Sequence, residues 1–109
     1  MVAMNEPAII VLTANGQETA KRISAALPDA GSFVRRGRAI DGTAFDDTGE
    51  ILRNLFTKGR TIIGVCAAGI LIRLLAPVLS SKRDEPPVLA VSEDGAVVIP
   101  LLGGHRGGN

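Results

Sequence analysis

At 109 residues, 46% hydrophobic and 21% charged, the chain reads as one globular domain, taken as a single unit over residues 1–109. Three Phe, no Trp and no Tyr leave no aromatic platform for stacking bases. A net charge of +1 gives no electrostatic footprint for nucleic acid or an anionic membrane. One cysteine excludes an internal disulfide and a cysteine-built metal site and suits a reducing cytoplasm. The N-terminus has no basic leader of a signal peptide, and no stretch approaches the roughly 20 apolar residues that span a bilayer.

Residues 8–13, AIIVLT, form a continuous β-branched run that predicts a central strand buried on both faces. Ala14-Asn15-Gly16 is turn chemistry, and residues 16–27 turn helical, with Ala20, Ile23, Ala26 and Leu27 inward and Glu18, Lys21 and Arg22 in water. Thr13 and Asn15 at that turn could hold an anion; the competing reading is a helix cap. Residues 32–34 predict a short strand. It runs into Arg35-Arg36-Gly37-Arg38, either a solvated loop or a guanidinium clamp for a polycarboxylate ligand. Residues 39–45 read as loop.

Asp47-Thr48-Gly49-Glu50 predicts a capping box, with Ile51, Leu52, Leu55 and Phe56 on the buried face and Gly59 after the helix end. Asp46, Asp47 and Glu50 have no histidine nearby, so capping outweighs metal binding, and no metal site is expected. Residues 61–65 predict a buried strand, and Cys66-Ala67-Ala68-Gly69 a small-residue turn. A helix follows with Ile70, Leu71, Leu74, Leu75, Val78 and Leu79 as its apolar stripe. Such a turn at a helix start lets a ligand approach backbone N–H groups, or simply packs a βα connection tightly. Pro77 should kink or restart the helix. Residues 80–87 are a polar loop, 88–92 a strand, Glu93-Asp94-Gly95 a hairpin turn, and 96–101 the partner strand, with Pro100 at its end or on an edge.

These elements add up to an α/β three-layer sandwich: a mostly parallel open sheet, helices on both faces and a C-terminal β-hairpin. Four glycines flank His105-Arg106, the only histidine and a neighbouring guanidinium. The loop could wrap a ligand, with His105 for proton transfer and Arg106 for a carboxylate, or it could be an exposed tail. Asn109 would cap a further helix, so the chain is expected to be a fragment of a longer protein.

The run of residues 55–73, LFTKGRTIIGVCAAGILIR, resembles the N-terminal domain of CbiG proteins of cobalamin biosynthesis. So do KRDEPPVLAV at 82–91, Asp94-Gly95 and LLGGHRGGN at 101–109. The likeness covers roughly residues 8–109. It implies a part in cobalt-precorrin-5A hydrolase activity, which opens the ring-A lactone of a corrin precursor and expels acetaldehyde. Ala67, Ala68, Gly69 and Arg73 would then line the tetrapyrrole crevice, Gly104, Arg106 and Gly107 would help close it, and His105 would be the general acid/base. No cofactor is implied, since any cobalt belongs to the substrate. The partners implied are a tetrapyrrole, a C-terminal domain absent from this chain or a fused precorrin-3B C17-methyltransferase, and, still open, a second copy as a homodimer. The competing functions are a non-catalytic corrinoid-binding module and an interface domain of such a fusion.

Overall fold

The computed structural model describes residues 7–35, 43–79 and 85–102. Its strands are β1 (Ala8–Val11), β2 (Gly31–Arg35), β3 (Thr43–Phe45), β4 (Ile62–Val65), β5 (Val88–Val91) and β6 (Val98–Leu102). Three helices lie between them: α1 (Gln17–Ala26), α2 (Thr48–Thr57) and α3 (Ala68–Leu75).

One six-stranded sheet runs β3-β2-β1-β4-β5-β6. The first five strands are parallel and β6 is antiparallel. This is the strand order of a doubly wound sheet, with its last strand reversed. Both predicted central strands, β1 and β4, are buried along their whole length. Alternation sends Ile9, Val11, Val34, Ile63, Val65 and Val91 to one face, where Ala20 of α1 packs. Ala8, Ile10, Ile62, Val88 and Ala90 face the other way. There Leu52, Leu55 and Phe56 of α2 and Leu71 and Leu75 of α3 complete the core. Helices therefore cover both faces, as the apolar runs require.

Local signals decide the boundaries. The Asp47 side chain accepts the Glu50 N–H at 3.0 Å and starts α2 as the predicted N-cap. Gly59 follows the helix at φ +79, a conformation in which other side chains clash. Pro77 ends α3 at Leu75, and a 3-10 turn over Ala76–Val78 takes over. The Leu74 carbonyl at this helix end accepts Arg53 Nη1 from α2 at 3.2 Å, which ties the two helices together.

Three expectations are corrected. The stretch read as loop over 39–45 contains β3, a three-residue strand whose shape comes from pairing with Val34 and its neighbours. Ala26 and Leu27 are exposed, because α1 turns its Thr19–Ala20 side to the sheet; Ile23 is half-buried. Of the predicted stripe, Leu71 and Leu75 are buried and Leu74 and Val78 pack half-buried against the core, whereas Ile70 and Leu79 reach solvent.

β6 is an open edge. The Ser92 N–H bonds the Val97 carbonyl at 2.9 Å, so alternation turns Val98 and Pro100 outward. A register irregularity opposite Val88/Leu89 follows at once.

Candidate functional site

The chain fills β1, β2 and β3 to one side and then returns to lay β4 on the other flank of β1. Loops leaving the carboxyl ends of β1 and β4 therefore diverge, and open sheets bind ligands in the crevice this leaves. A half-open cleft of ≈ 490 Å³ lies here, lined by Leu12, Thr13, Cys66, Ala67, Ala68, Ile70, Ala90, Ser92, Glu93, Val97 and Ile99. Its walls are mostly apolar, with polar groups confined to one rim, as small-molecule sites usually are.

Ala67 and Ala68 line the cleft, as their place after β4 implies. Ala67 is the N-cap of α3 and no side chain caps it; the Ile70 N–H donates to the Ala67 carbonyl at 3.1 Å. Gly69 sits in that same first turn in open space: a Cβ placed there meets nothing within 4 Å. Arg73 is exposed on α3 and is not among the lining residues. Of the arginine cluster, Arg35 Nη1 donates to Thr48 Oγ1 at 3.3 Å; Arg36 and Arg38 lie outside the described residues.

Gly104, His105, Arg106 and Gly107 also lie outside them, but the strand leading to them is described. β6 begins at Val98 beside Val91, at the cleft end, and finishes at Leu102 beside Val88, at the opposite end of the sheet. Four strand steps put Leu102 about 13 Å down the sheet from the cleft rim. The two motifs of the sequence are thus carried on strands that finish at opposite ends.

Two groups stand at the rim: Thr13, read from the sequence as able to hold an anion, and Glu93, which that reading left as turn chemistry. The Thr13 hydroxyl does not cap its helix turn; it donates to Glu93 Oε2, a residue 80 positions away. The Glu93 backbone is held too: Thr19, 3% exposed on α1, donates its hydroxyl to the Glu93 carbonyl at 2.5 Å. Arg22 Nη2 reaches the Asp94 carbonyl at 3.4 Å. Asp94 accepts the Ser92 hydroxyl at 2.7 Å and the Ala96 N–H at 2.9 Å, bonds that hold its carboxyl below the usual range. Gly95 closes this turn at φ +79. The signal was present in the sequence as an acidic residue just past the carboxyl end of a buried strand.

Cys66 is 8% exposed, and burial, reinforced by the nearby charge of Glu93, pushes its thiol from 9.0 up to about 11. At neutral pH it is a protonated packing group, not a nucleophile. Because folding disfavours the thiolate, this stability is intact below pH 9.0 and lost as pH rises through about 11. Urea midpoints of the native chain should therefore fall between pH 8.5 and 10.5 more than those of Cys66→Ala, and parallel curves would contradict the assignment.

Among the described residues no three His, Cys, Asp or Glu side chains gather as a metal site. Nor is any helix among them long and apolar enough to cross a membrane.

With this geometry in place, comparison with known proteins is informative. A family model described as "Cobalamin synthesis G N-terminal" matches residues 50–109, which include the whole β4–α3 turn and the Glu93 hairpin. A cobalt-precorrin-5A hydrolase of Salmonella typhimurium is 36% identical over 102 residues, 93% of this chain and 29% of that protein. One from Priestia megaterium is 34% identical over 58 residues, 53% of this chain and 16% of that protein. The crystal structure of a cobalamin biosynthesis protein G homolog from Sulfolobus solfataricus superposes with a TM-score of 0.68 at 21% identity. It covers 96% of this chain and 31% of that one, a likeness of fold alone. The chain spans less than a third of the length of these relatives. It belongs to the cobalamin synthesis G N-terminal family, with the sheet and the switch-point cleft described above.

Proposed function

We propose that this chain is the N-terminal part of a cobalt-precorrin-5A hydrolase of corrin-ring biosynthesis, working in the cytoplasm. The observation that carries this reading is the apolar switch-point cleft, whose Cys66–Ile70 wall falls inside the segment matched by the family model. The cleft takes the ring-A edge of a tetrapyrrole, and its reaction opens the lactone and releases acetaldehyde. First-turn N–H groups of α3 around Ala68 and Gly69 offer hydrogen bonds to the oxyanion that forms as the lactone carbonyl is attacked. Arg73 and Arg106 meet the acetate and propionate groups that ring the substrate. His105 moves a proton as acetaldehyde departs. No resident cofactor is required, and cobalt enters as part of the substrate. The rest of the longer protein, or a fused methyltransferase, packs against this domain, and a homodimer remains an alternative assembly.

Grafting this chain in place of the matching 102-residue segment of the Salmonella relative tests the reading directly. The graft should bind a lactone-bearing corrin intermediate, followed by absorbance, and release acetaldehyde. Binding without acetaldehyde would support a carrier module instead, and a folded graft that does neither overturns the proposal. Within an active graft, His105→Ala should abolish most acetaldehyde release and leave binding intact; unchanged turnover would remove His105 from the mechanism.

A further inference from the structure

Glu93 is the one carboxylate among the described residues that line the cleft. Of its lining residues only Glu93 and Cys66 ionise, and the Cys66 thiol stays protonated until far above neutrality. The remaining walls are alkyl groups and hydroxyls.

The Glu93 side chain is anchored from outside its own turn. A carboxylate at the tip of a two-stranded hairpin ordinarily sweeps a wide volume. Here the Thr13 hydroxyl, on the loop after β1, holds Oε2 from across the switch point. The buried Thr19 hydroxyl and the Arg22 guanidinium fix the turn's carbonyls from α1. The neighbouring acid, Asp94, is consumed by Ser92 and Ala96 within the turn and does not line the cleft. The loop after β1 thus holds the carboxylate and α1 holds the turn that carries it, at the rim of an apolar cavity, the arrangement a preorganised acid/base group needs. The first turn of α3 also lines the cleft.

We propose that Glu93 is a catalytic residue of this cleft, the base that activates the water opening the substrate's lactone, and that Thr13 is its positioning residue. This rests on the hydrolase reading above. The Glu93 carboxylate takes one proton from water as the water oxygen bonds to the lactone carbonyl carbon. The acyl C–O bond then breaks, and the same proton passes from Glu93 to the departing alkoxide. One water is consumed, an acetic acid side chain and a hydroxyl are formed, and no oxidant or reductant enters. His105 is left with the later proton transfer that accompanies acetaldehyde loss.

The test uses the graft into the Salmonella relative, with Glu93→Gln, Thr13→Val and Thr13→Ser. Glu93→Gln should lower kcat about 100-fold or more, with KM for the lactone-bearing corrin changed by no more than about threefold. Thr13→Val should lower kcat about tenfold through misplacement of the carboxylate, and Thr13→Ser, which restores the hydroxyl, should recover it. A purely structural tie would instead lower the thermal midpoint of both Thr13→Val and Glu93→Gln while leaving kcat per folded molecule unchanged. Full turnover by Glu93→Gln in an active graft overturns the assignment of Glu93 alone. An unsubstituted graft that folds and binds but never opens the lactone overturns the hydrolase reading, and Glu93's role falls with it.

Discussion

Truncating Leu71 to alanine is expected to remove about 3 kcal/mol of stability, visible as a fall of roughly 15 °C in thermal midpoint for a domain of this size. Leu71 is completely buried at the meeting of α3 with the sheet, packed in the cluster that holds Ile10, Leu52, Ile62 and Val88. Its removal takes three heavy atoms from a site whose neighbours come from three strands and two helices. Such a site collapses poorly, and the residual void adds to the lost transfer energy. The loss is a large fraction of the ~5–15 kcal/mol that a domain usually commands. Because Leu71 lies directly after the Ala68-Gly69-Ile70 turn, the same variant should loosen the cleft wall and weaken corrin binding more than a variant of equal stability cost in α1. A thermal midpoint within about 3 °C of the native chain would mean that α3 is not locked to the sheet as described.

The reciprocal experiment adds a methyl group instead of removing one. A Cβ built on Gly64 meets Leu71 Cδ1 at 2.8 Å and Cδ2 at 2.9 Å. A leucine at the surface would swing aside at little cost. Leu71, with no exposed area, has nowhere to go. Gly64→Ala should therefore cost about 1–3 kcal/mol through overpacking, read from urea denaturation with an unchanged m-value. The two changes should also compensate. In the Gly64→Ala/Leu71→Ala double variant the new methyl occupies part of the void, so the combined loss falls short of the sum by at least about 0.5 kcal/mol. Strict additivity would show that Gly64 and Leu71 do not share that space.

Much of the fold is legible before any coordinates exist, for identifiable reasons. AIIV at β1 and IIGV at β4 can be buried on both faces only inside a sheet covered on both sides, and the helical stripes between strands supply the covers. Asp47, Gly59, Pro77 and Asp94-Gly95 mark element boundaries by chemistry that acts over a few residues, and each acts as read. What escapes is whatever tertiary pairing alone decides. Thr43–Phe45 is too short and too exposed to carry a periodicity, and becomes a strand because β2 offers it an edge. In the site, Ala67 and Ala68 are readable from the strand-turn-helix pattern around them. The Thr13–Glu93 contact is not, since it depends on the β1 and β5 loops emerging at the same end of the sheet. The reversed direction of β6 follows from the predicted hairpin itself. It ends β6 beside Val88, at the other end of the sheet from the cleft, and residues 103–109 lie outside the described ones.

The outer rim of β6 has a consequence for how this domain behaves in a crowded solution. Val98 and Ile99, with Val97 just before them, expose about half of their surface at the edge strand of the described sheet, the kind of sequence that seeds intermolecular strand pairing. Two residues past Val98, the next outward position is Pro100, which has no amide hydrogen to offer an incoming chain. The irregularity beside Leu89 then bends the rim out of register. A visiting strand could secure one hydrogen-bonding step and would find no second. β6 thus acts as a selvedge, finishing the sheet so that neighbouring molecules cannot be woven onto it and leaving its apolar side chains available for contacts made face-on.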